Sequence, residues 1–461
     1  MEADKRAVQI SMALSGFLTP FSGSSFNIAL PSIAREYALS AVSMSWASLA
    51  YLLTSAMFLI PFGKVADMYG RKRVFLYGIA VFTVASGLLA VYPSSSTIIA
   101  FRAMQGLGSA MIFGTSVAIL VTVHEPHERG RVLGLNVAAV YVGLSVGPTL
   151  GGFLTTSFGW RSIFLVNVAV GLLVIAATLT KIRGDWAEPG DKRFDLAGSG
   201  VYSVMLLVLM YGMSLLPGAD AWTWIAGGLL LLGVFIYVEA RAENPVLDVR
   251  LFASNKAFSY SNLAALINFS ATFAMTLLLS MYLQYLKALN AQQAGMVMIA
   301  SPVMQAIVSP VAGRLSDRYA PHRLAAVGMT VTGVSIVPFI FLEAETSLIY
   351  IAGSLALLGV GLALFASPNT NAVMGSVDRR HYGVASSTVG TMRLTGQMLS
   401  TGIAMTLFAI NLGGAQITPE LYPQLLTSIK TTFTVFFVLC IPGVAASLVR
   451  GRIKQVNEAE A

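Results

Sequence analysis

The sequence has 461 residues, of which 56% are hydrophobic and 11% are charged, and its mean hydropathy is +0.74. Soluble domains carry about 25% charged residues, so this composition excludes an ordinary soluble protein and indicates a chain embedded in lipid. The net charge of +8 is spread over many short loops and does not predict nucleic-acid binding.

Long apolar runs follow one another along the chain, and each is close to the roughly 20 residues that a helix needs to cross a bilayer. We predict fourteen such spans and therefore an all-α polytopic membrane protein. Their approximate limits are residues 8–33, 41–62, 74–93, 96–122, 132–154, 160–180, 196–215, 222–240, 258–286, 291–312, 324–342, 347–374, 386–411 and 427–449. Most of the 29 lysines and arginines then fall in loops on one side. The positive-inside rule predicts that both termini lie in the cytoplasm of a cell-membrane protein.

A charged hairpin between predicted helices 2 and 3 returns 250 positions later between predicted helices 10 and 11. The segment GKVADMYGRKR of residues 63–73 and the segment GRLSDRYAPHR of residues 313–323 share a glycine, a base, an aspartate, a tyrosine and a final arginine. The repeat indicates two pseudo-symmetric halves. We expect six-helix bundles over residues 1–180 and 251–461, with predicted helices 7 and 8 inserted over residues 181–250.

The two hairpins are predicted to form a gate. Glycine permits a tight turn between helices, and the Asp67 carboxylate can accept from a base or from a helix N-terminus when two bundles approach. A contact that forms in one conformation and breaks in another is what a gate requires. A positive loop that only fixes topology is the alternative, and it would explain the bases but not Asp67. The predicted gate residues are Gly63, Asp67, Gly70, Arg71, Arg73, Gly313 and Asp317.

Predicted helix 4 contains Arg102 and Gln105 in the segment FRAMQGLGSA. An arginine inside an apolar helix needs a partner or a water-filled cavity. Arg102 is therefore expected either in a central cavity or as a static brace that backbone carbonyls satisfy.

Predicted helix 5 is rich in glycine. Gly143, Gly147 and Gly151 are spaced four residues apart and lie on one helix face, where a neighbouring helix can approach closely. Pro148 removes a backbone hydrogen bond and can bend the helix. Simple packing of small residues would explain the glycines but not the Gly-Pro followed by Gly151 and Gly152.

Together these motifs resemble the major facilitator superfamily, and the six-two-six layout resembles its fourteen-helix drug/proton antiporter family. The resemblance implies an exporter of small amphipathic molecules that works by alternating access with proton antiport. It also implies a role for Arg102 in proton coupling or in holding the cavity together. The Gly-Pro segment of helix 5 is associated in that superfamily with exporters.

The chain departs from the family in its acids. Ser22 occupies the place where such antiporters often have a membrane-embedded aspartate, and every acid other than Asp67 and Asp317 lies in a loop, a terminus or a helix end. A cavity without a carboxylate favours neutral or anionic substrates. An exporter or facilitator of a neutral or anionic metabolite, without carboxylate-based proton coupling, therefore stays open beside the proton antiporter.

The predicted cavity residues are the two arginines Arg102 and Arg393 with Gln105 and the neutral groups Ser22, Asn27 and Gln284. The sequence has no intramembrane His/Asp/Glu cluster, metal-ligand spacing or phosphate-binding loop, so we predict neither an enzyme nor a metal or other cofactor. The expected partners are a small molecule, the lipid bilayer and, through the resemblance, protons. We expect a monomer that does not bind nucleic acid.

Overall fold

The computed structural model describes residues 5–125, 128–182, 185, 195–242, 245, 247, 249–377 and 382–448. The long elements of this part are α-helices. They are α1 Lys5–Tyr37, α2 Ala41–Tyr69, α3 Arg71–Val91, α4 Ser95–Val123, α5 Arg129–Phe158, α6 Arg161–Lys181, α7 Leu196–Ser214, α8 Ala219–Arg241, α9 Val249–Ser254, α10 Lys256–Thr272, α11 Met275–Met281, α12 Ala291–Met298, α13 Ala300–Arg318, α14 Pro321–Ile340, α15 Leu348–Gly375, α16 Tyr382–Leu412 and α17 Tyr422–Leu448. A π-helical turn, Tyr282–Leu286, continues α11.

Twelve segments of the described chain are helical, long and apolar enough to cross a membrane, so the protein is an all-helical polytopic membrane protein. The fourteen predicted spans each overlap a helix, but the first and the thirteenth do not meet the same criterion of length and composition. These two helices are α1 with 33 residues and α16 with 31. Both are long enough but rich in Ser, Thr, Gly and amide side chains, which lower their hydropathy. Composition therefore supports twelve spans rather than fourteen.

Two predicted spans are interrupted. The ninth is divided into α10, α11 and the π-helical turn, and the tenth into α12 and α13. At the first break the Ser400 hydroxyl accepts from the Ala274 backbone N–H at 3.0 Å. A side chain thus replaces a helical partner, as non-helical backbone at membrane depth requires.

The glycines of α5 pack against α1. A Cβ on Gly143 would overlap the Phe17 carbonyl oxygen, and a Cβ on Gly147 would overlap the Ser24 hydroxyl. Gly151 faces Ser25 in the same way, with a Cβ position 2.6 Å from the serine Cβ. The predicted glycine face of this helix is therefore the surface on which α1 rests.

The first half, α1 to α6, and the second half, α10 to α17, meet at the end of the molecule where α1 ends, which we call the Tyr37 end. Arg35 Nη2 donates to the Gln284 carbonyl oxygen at 2.9 Å, and Gln284 Nε2 donates to the Ile28 carbonyl oxygen at 2.8 Å. The Gln292 backbone N–H donates to Thr156 Oγ1 at 3.1 Å. At the opposite end, which contains Gly70, Arg71 bonds to Asp67 and Thr122, and the Lys72 backbone N–H bonds to Asp185.

Helix α7 of the inserted pair lies along the line where α2 meets α16. Ser203 Oγ donates to the Met57 carbonyl oxygen of α2 at 3.1 Å, and Thr406 Oγ1 of α16 donates to the Met213 carbonyl oxygen at 3.2 Å. The inserted pair is therefore attached to both halves.

We expect Gly143→Ala to destabilise the protein by about 2 kcal/mol, because the added methyl must push against backbone in a filled interface. Thermal unfolding of the detergent-solubilised protein measures the effect as a lower midpoint. Gly353→Ala in α15 is the matched control, since no atom lies within 4 Å of its Cβ position. Equal midpoints for the two variants would contradict the close packing of α1 on α5.

Candidate functional site

The first predicted gate hairpin is held by an ion pair. Arg71 Nε lies 2.8 Å from Asp67 Oδ1, and Arg71 Nη1 donates to Thr122 Oγ1 of α4 at 2.6 Å. Gly70, which ends α2, has a φ of +111°, a conformation that side chains with a Cβ rarely adopt. Gly63 faces the Gly114 carbonyl oxygen, 3.7 Å from its Cβ position.

The same hairpin is anchored to the chain that follows α6. Arg73 Nε lies 2.9 Å from Asp185 Oδ2, and the Lys72 backbone N–H donates to Asp185 Oδ1 at 3.1 Å. All these contacts stay within the first half.

In the second copy of the hairpin, the Cβ position of Gly313 lies 3.7 Å from the Ser367 hydroxyl. Asp317 lies in α13, and its side chain is outside the described part of the structure.

Arg102 is enclosed by its own half and is 1% exposed. Its Nε donates to the Ala47 carbonyl oxygen at 3.2 Å and its Nη1 donates to Gln105 Oε1 at 2.8 Å. The guanidinium carbon lies 4.2 Å from the ring centroid of Phe26 and 4.4 Å from that of Tyr51. Arg102 thus has the contacts of a static brace.

The three neutral cavity candidates all make contacts between helices. Asn167 Nδ2 donates to Ser22 Oγ at 3.0 Å, which joins α6 to α1. Asn27 Oδ1 accepts from Ser48 Oγ at 2.9 Å, which joins α1 to α2. Gln284 belongs to the contact between the halves at the Tyr37 end. None of the three is among the residues that line the cavity between the halves.

That cavity has a volume of about 40 Å³. Its walls come from α1, α2, α4 and α5 of the first half and from α16 of the second, with Phe273 at the end of α10. The lining residues are Thr19, Pro20, Gly23, Ser24, Tyr51, Leu52, Ser109, Phe113, Val140, Leu144, Phe273, Arg393, Leu394 and Gln397. No carboxylate is present in this lining, so its only formal charge is that of Arg393.

Arg393 is half-buried in α16. Its guanidinium carbon lies 5.5 Å from the ring centroid of Phe113, and no described residue forms a hydrogen bond or an ion pair with it. Arg102 differs, because two of its guanidinium nitrogens are hydrogen-bonded and two aromatic rings lie against it. Of the two arginines predicted for the cavity, the structure brings one to it.

Sequence reasoning missed the aromatic lining of the cavity, Tyr51, Phe113 and Phe273. The Tyr51 hydroxyl donates to the Thr19 carbonyl oxygen at 3.0 Å and lies 3.0 Å from Ser109 Oγ, so its ring is fixed in place. Nothing in the sequence distinguishes these rings from the other aromatic residues of apolar helices.

Pro148 and Gly152 of α5 lie at the junction between the two halves. A Cβ on Gly152 would overlap the Ala291 carbonyl oxygen, and a Cβ on Gly295 would overlap the Pro148 carbonyl oxygen. Thr149 Oγ1 also donates to the Gly295 carbonyl oxygen at 3.3 Å. Pro148 and Gly152 therefore face α12, while Gly143, Gly147 and Gly151 face α1.

A larger groove, of about 500 Å³, lies between α1 and α5 near the Gly70 end. Its walls are almost entirely apolar and include the exposed residues Ile10, Leu135 and Val142. All of its residues belong to the first half, so it is a surface groove rather than a space between the halves.

We expect the two arginines to differ in their effect on stability. Arg102→Ala should lower the free energy of unfolding by about 3 kcal/mol, because it leaves a cavity and an unpaired amide oxygen on Gln105. Arg393→Ala should leave it unchanged or raise it, since no hydrogen bond is lost. Thermal unfolding midpoints in detergent measure both, and similar losses in the two variants would contradict the assignment of Arg102 as the brace.

The sequence profile of the Major Facilitator Superfamily matches residues 12–400 and 261–460. The chain is 31% identical over 392 residues to multidrug resistance protein Stp of Mycobacterium tuberculosis (strain CDC 1551 / Oshkosh), which covers 83% of this chain and 72% of that protein. It is 27% identical over 411 residues to riboflavin transporter RibZ of Clostridioides difficile (strain 630), covering 88% and 89%.

A third relative is the tetracenomycin C resistance and export protein of Streptomyces glaucescens, 27% identical over 412 residues, covering 88% of this chain and 76% of that protein. Among solved structures, a bacterial homologue of the human lysosomal transporter Spinster, in an inward-facing and unoccupied conformation, has a TM-score of 0.70 at 15% identity and covers 96% of each chain. The prediction that the chain is a transporter and not an enzyme is confirmed. With the profile spanning most of its length, the chain belongs to the Major Facilitator Superfamily.

Proposed function

We propose that this protein exports small amphipathic molecules across the cell membrane by alternating access, with the Gly70 end and both termini in the cytoplasm. The observation that carries the proposal is a cavity between two halves that are hydrogen-bonded to each other at the Tyr37 end. A central site that is closed on one side is one of the two states that such a transporter visits.

The names of the relatives support a small-molecule substrate and the direction of transport. One is a multidrug resistance protein, one is a tetracenomycin C resistance and export protein, and one is a riboflavin transporter. The α5 segment with Pro148, Gly151 and Gly152 adds to this, because it resembles the exporters of the superfamily.

We also propose fourteen membrane spans, with bundles over residues 1–180 and 251–461 and an inserted pair over residues 181–250. Helices α1 and α16 both line the cavity, so their polar groups face protein and the cavity instead of lipid. Polar side chains in that position are compatible with a helix that crosses the bilayer. Low hydropathy in these two helices is therefore what a central location predicts.

The charges of the cavity favour neutral or anionic substrates, because Arg393 is its only formal charge.

Proton antiport is the second candidate, and it would need an acid outside the cavity. Hydrogen bonds from Arg161 hold the pKa of Glu36, in the last turn of α1, below its usual value, so Glu36 stays ionised at neutral pH. The other acids that the sequence places close to a moving part are Asp67, in the hairpin with Arg71, and Asp317, in the second hairpin.

A disulfide across the Tyr37 end tests alternating access. In a Cys440→Ser background, Thr156→Cys with Gln292→Cys places two thiols where the Gln292 backbone nitrogen now lies 3.1 Å from Thr156 Oγ1. We expect oxidation to abolish substrate transport by proteoliposomes and a reductant to restore it, because the halves must part here. The two single-cysteine variants are the controls. Full transport by the oxidised double variant would contradict the proposal.

The hairpins are tested with a matched pair, Asp67→Asn and Asp317→Asn. We expect Asp67→Asn to slow transport about fivefold, equivalent to the roughly 1 kcal/mol of an ion pair of this kind, and Asp317→Asn to have less effect. The reason is that only the first copy keeps the full run of bases, Arg71 to Arg73. A pH-sensitive dye inside the vesicles adds a second measurement: substrate-driven proton flux that Asp67→Asn removes would favour antiport instead.

A further inference from the structure

Arg393 presents unused hydrogen-bond donors to the cavity. A guanidinium carries five N–H groups, and none of those on Arg393 reaches an acceptor among the described residues. The lining side chains that can accept a hydrogen bond are neutral: Thr19, Ser24, Tyr51, Ser109 and Gln397. No carboxylate of the described chain lies in the lining to neutralise the charge.

A charged side chain at membrane depth is energetically costly. Such side chains are paired with another protein group or belong to a functional site. Arg102 shows how this chain satisfies an arginine that only holds helices together, with two hydrogen bonds and a ring on each face. Arg393 has one cation–π contact among the described residues, with the ring of Phe113 at 5.5 Å, and it lines the small cavity between the halves. The contrast indicates that the partner of Arg393 is not among the described residues.

We propose that Arg393 binds the anionic group of an aromatic amphipathic substrate, an inference that rests on the export function proposed above. A planar guanidinium binds a carboxylate, a sulfonate or a phosphate with paired hydrogen bonds. Tyr51, Phe113 and Phe273 line the same space and provide surfaces for an aromatic ring. The present volume of about 40 Å³ leaves room for no more than one small group, whereas drug-sized ligands occupy about 300–1,000 Å³. The body of the substrate is therefore accommodated only when the halves part.

This arrangement also allows the membrane potential to drive export without a proton-binding carboxylate. With the anion bound, the site changes from facing the cytoplasm to facing outward as a neutral ion pair. The empty site changes back with the uncompensated positive charge of Arg393. A membrane potential that is negative inside pulls this positive charge inward and so drives the return step. One charge moved across 100 mV supports a concentration ratio of about 50-fold.

Two dyes that differ only in charge provide the test. The fluorescent probe 1-anilinonaphthalene-8-sulfonate is an aromatic monoanion, and N-phenyl-1-naphthylamine is the same ring system without the sulfonate. Both are presented to proteoliposomes of the purified full chain, with the potential set by valinomycin and a potassium gradient. The variants are Arg393→Gln and Arg393→Lys, and an excess of inorganic sulfate tests whether a free inorganic anion suffices.

We expect the unsubstituted protein to transport the sulfonate faster as the side containing Gly70 becomes more negative, and the uncharged dye at a rate independent of potential. Arg393→Gln should reduce transport of the sulfonate by about 10-fold or more, the loss expected for a charge-assisted hydrogen bond, and leave the uncharged dye unaffected. Arg393→Lys should recover part of the loss, and sulfate should compete weakly because it lacks a ring.

Three results would overturn the inference. If Arg393→Gln transports both dyes like the unsubstituted protein, the anion is not bound by Arg393, while export itself stands. If Arg393→Gln loses both dyes equally, the residue is structural, which a lowered unfolding midpoint would corroborate. If the unsubstituted protein moves neither dye, both the export proposal and the inference fail.

Discussion

The contact between α1 and α5 is the constraint on which the rest of the site depends. Gly143 and Gly147 leave no room for a Cβ against Phe17 and Ser24, so the two backbones lie as close as helices can. Ser24 at this contact also lines the cavity, and α5 continues to the Tyr37 end, where Pro148 meets the second half. One glycine-lined interface therefore positions a wall of the cavity and one side of the junction between the halves.

The placement of charge gives the cavity its chemistry. Arg102 and Arg393 are both arginines in apolar helices, but two rings and two acceptors enclose the first, while the second faces the cavity. A cationic substrate would meet an uncompensated positive charge there, which disfavours its binding. The described lining of the cavity contains no carboxylate.

The two ends of the molecule have different roles in this conformation. At the Tyr37 end, Arg35 donates to the Gln284 carbonyl oxygen and the Gln284 side chain donates to the Ile28 carbonyl oxygen. In the proposed transport cycle this end separates when the site opens there. At the Gly70 end, Arg71 pairs with Asp67 and Arg73 pairs with Asp185, both within the chain that precedes α7. The gate proposed for this hairpin belongs to the other state of the proposed transport cycle, in which the two halves approach each other at this end. Helix α7 is bonded to both α2 and α16.

The sequence by itself determined the helical segments, the repeated hairpin and the glycine face of α5, because these depend on apolar length and on local spacing. It did not determine which polar groups line the cavity: Ser22 and Asn27 bond to neighbouring helices, and Gln284 bonds across the halves. Composition also left the number of membrane spans ambiguous. Helices that face a cavity carry polar residues, which lower their mean hydropathy below that of a typical membrane span. Only the tertiary structure decided that Arg393 and not Arg102 faces the cavity. The environment of a side chain depends on residues that are distant in the sequence, and a single sequence does not show which of them become its neighbours in the fold.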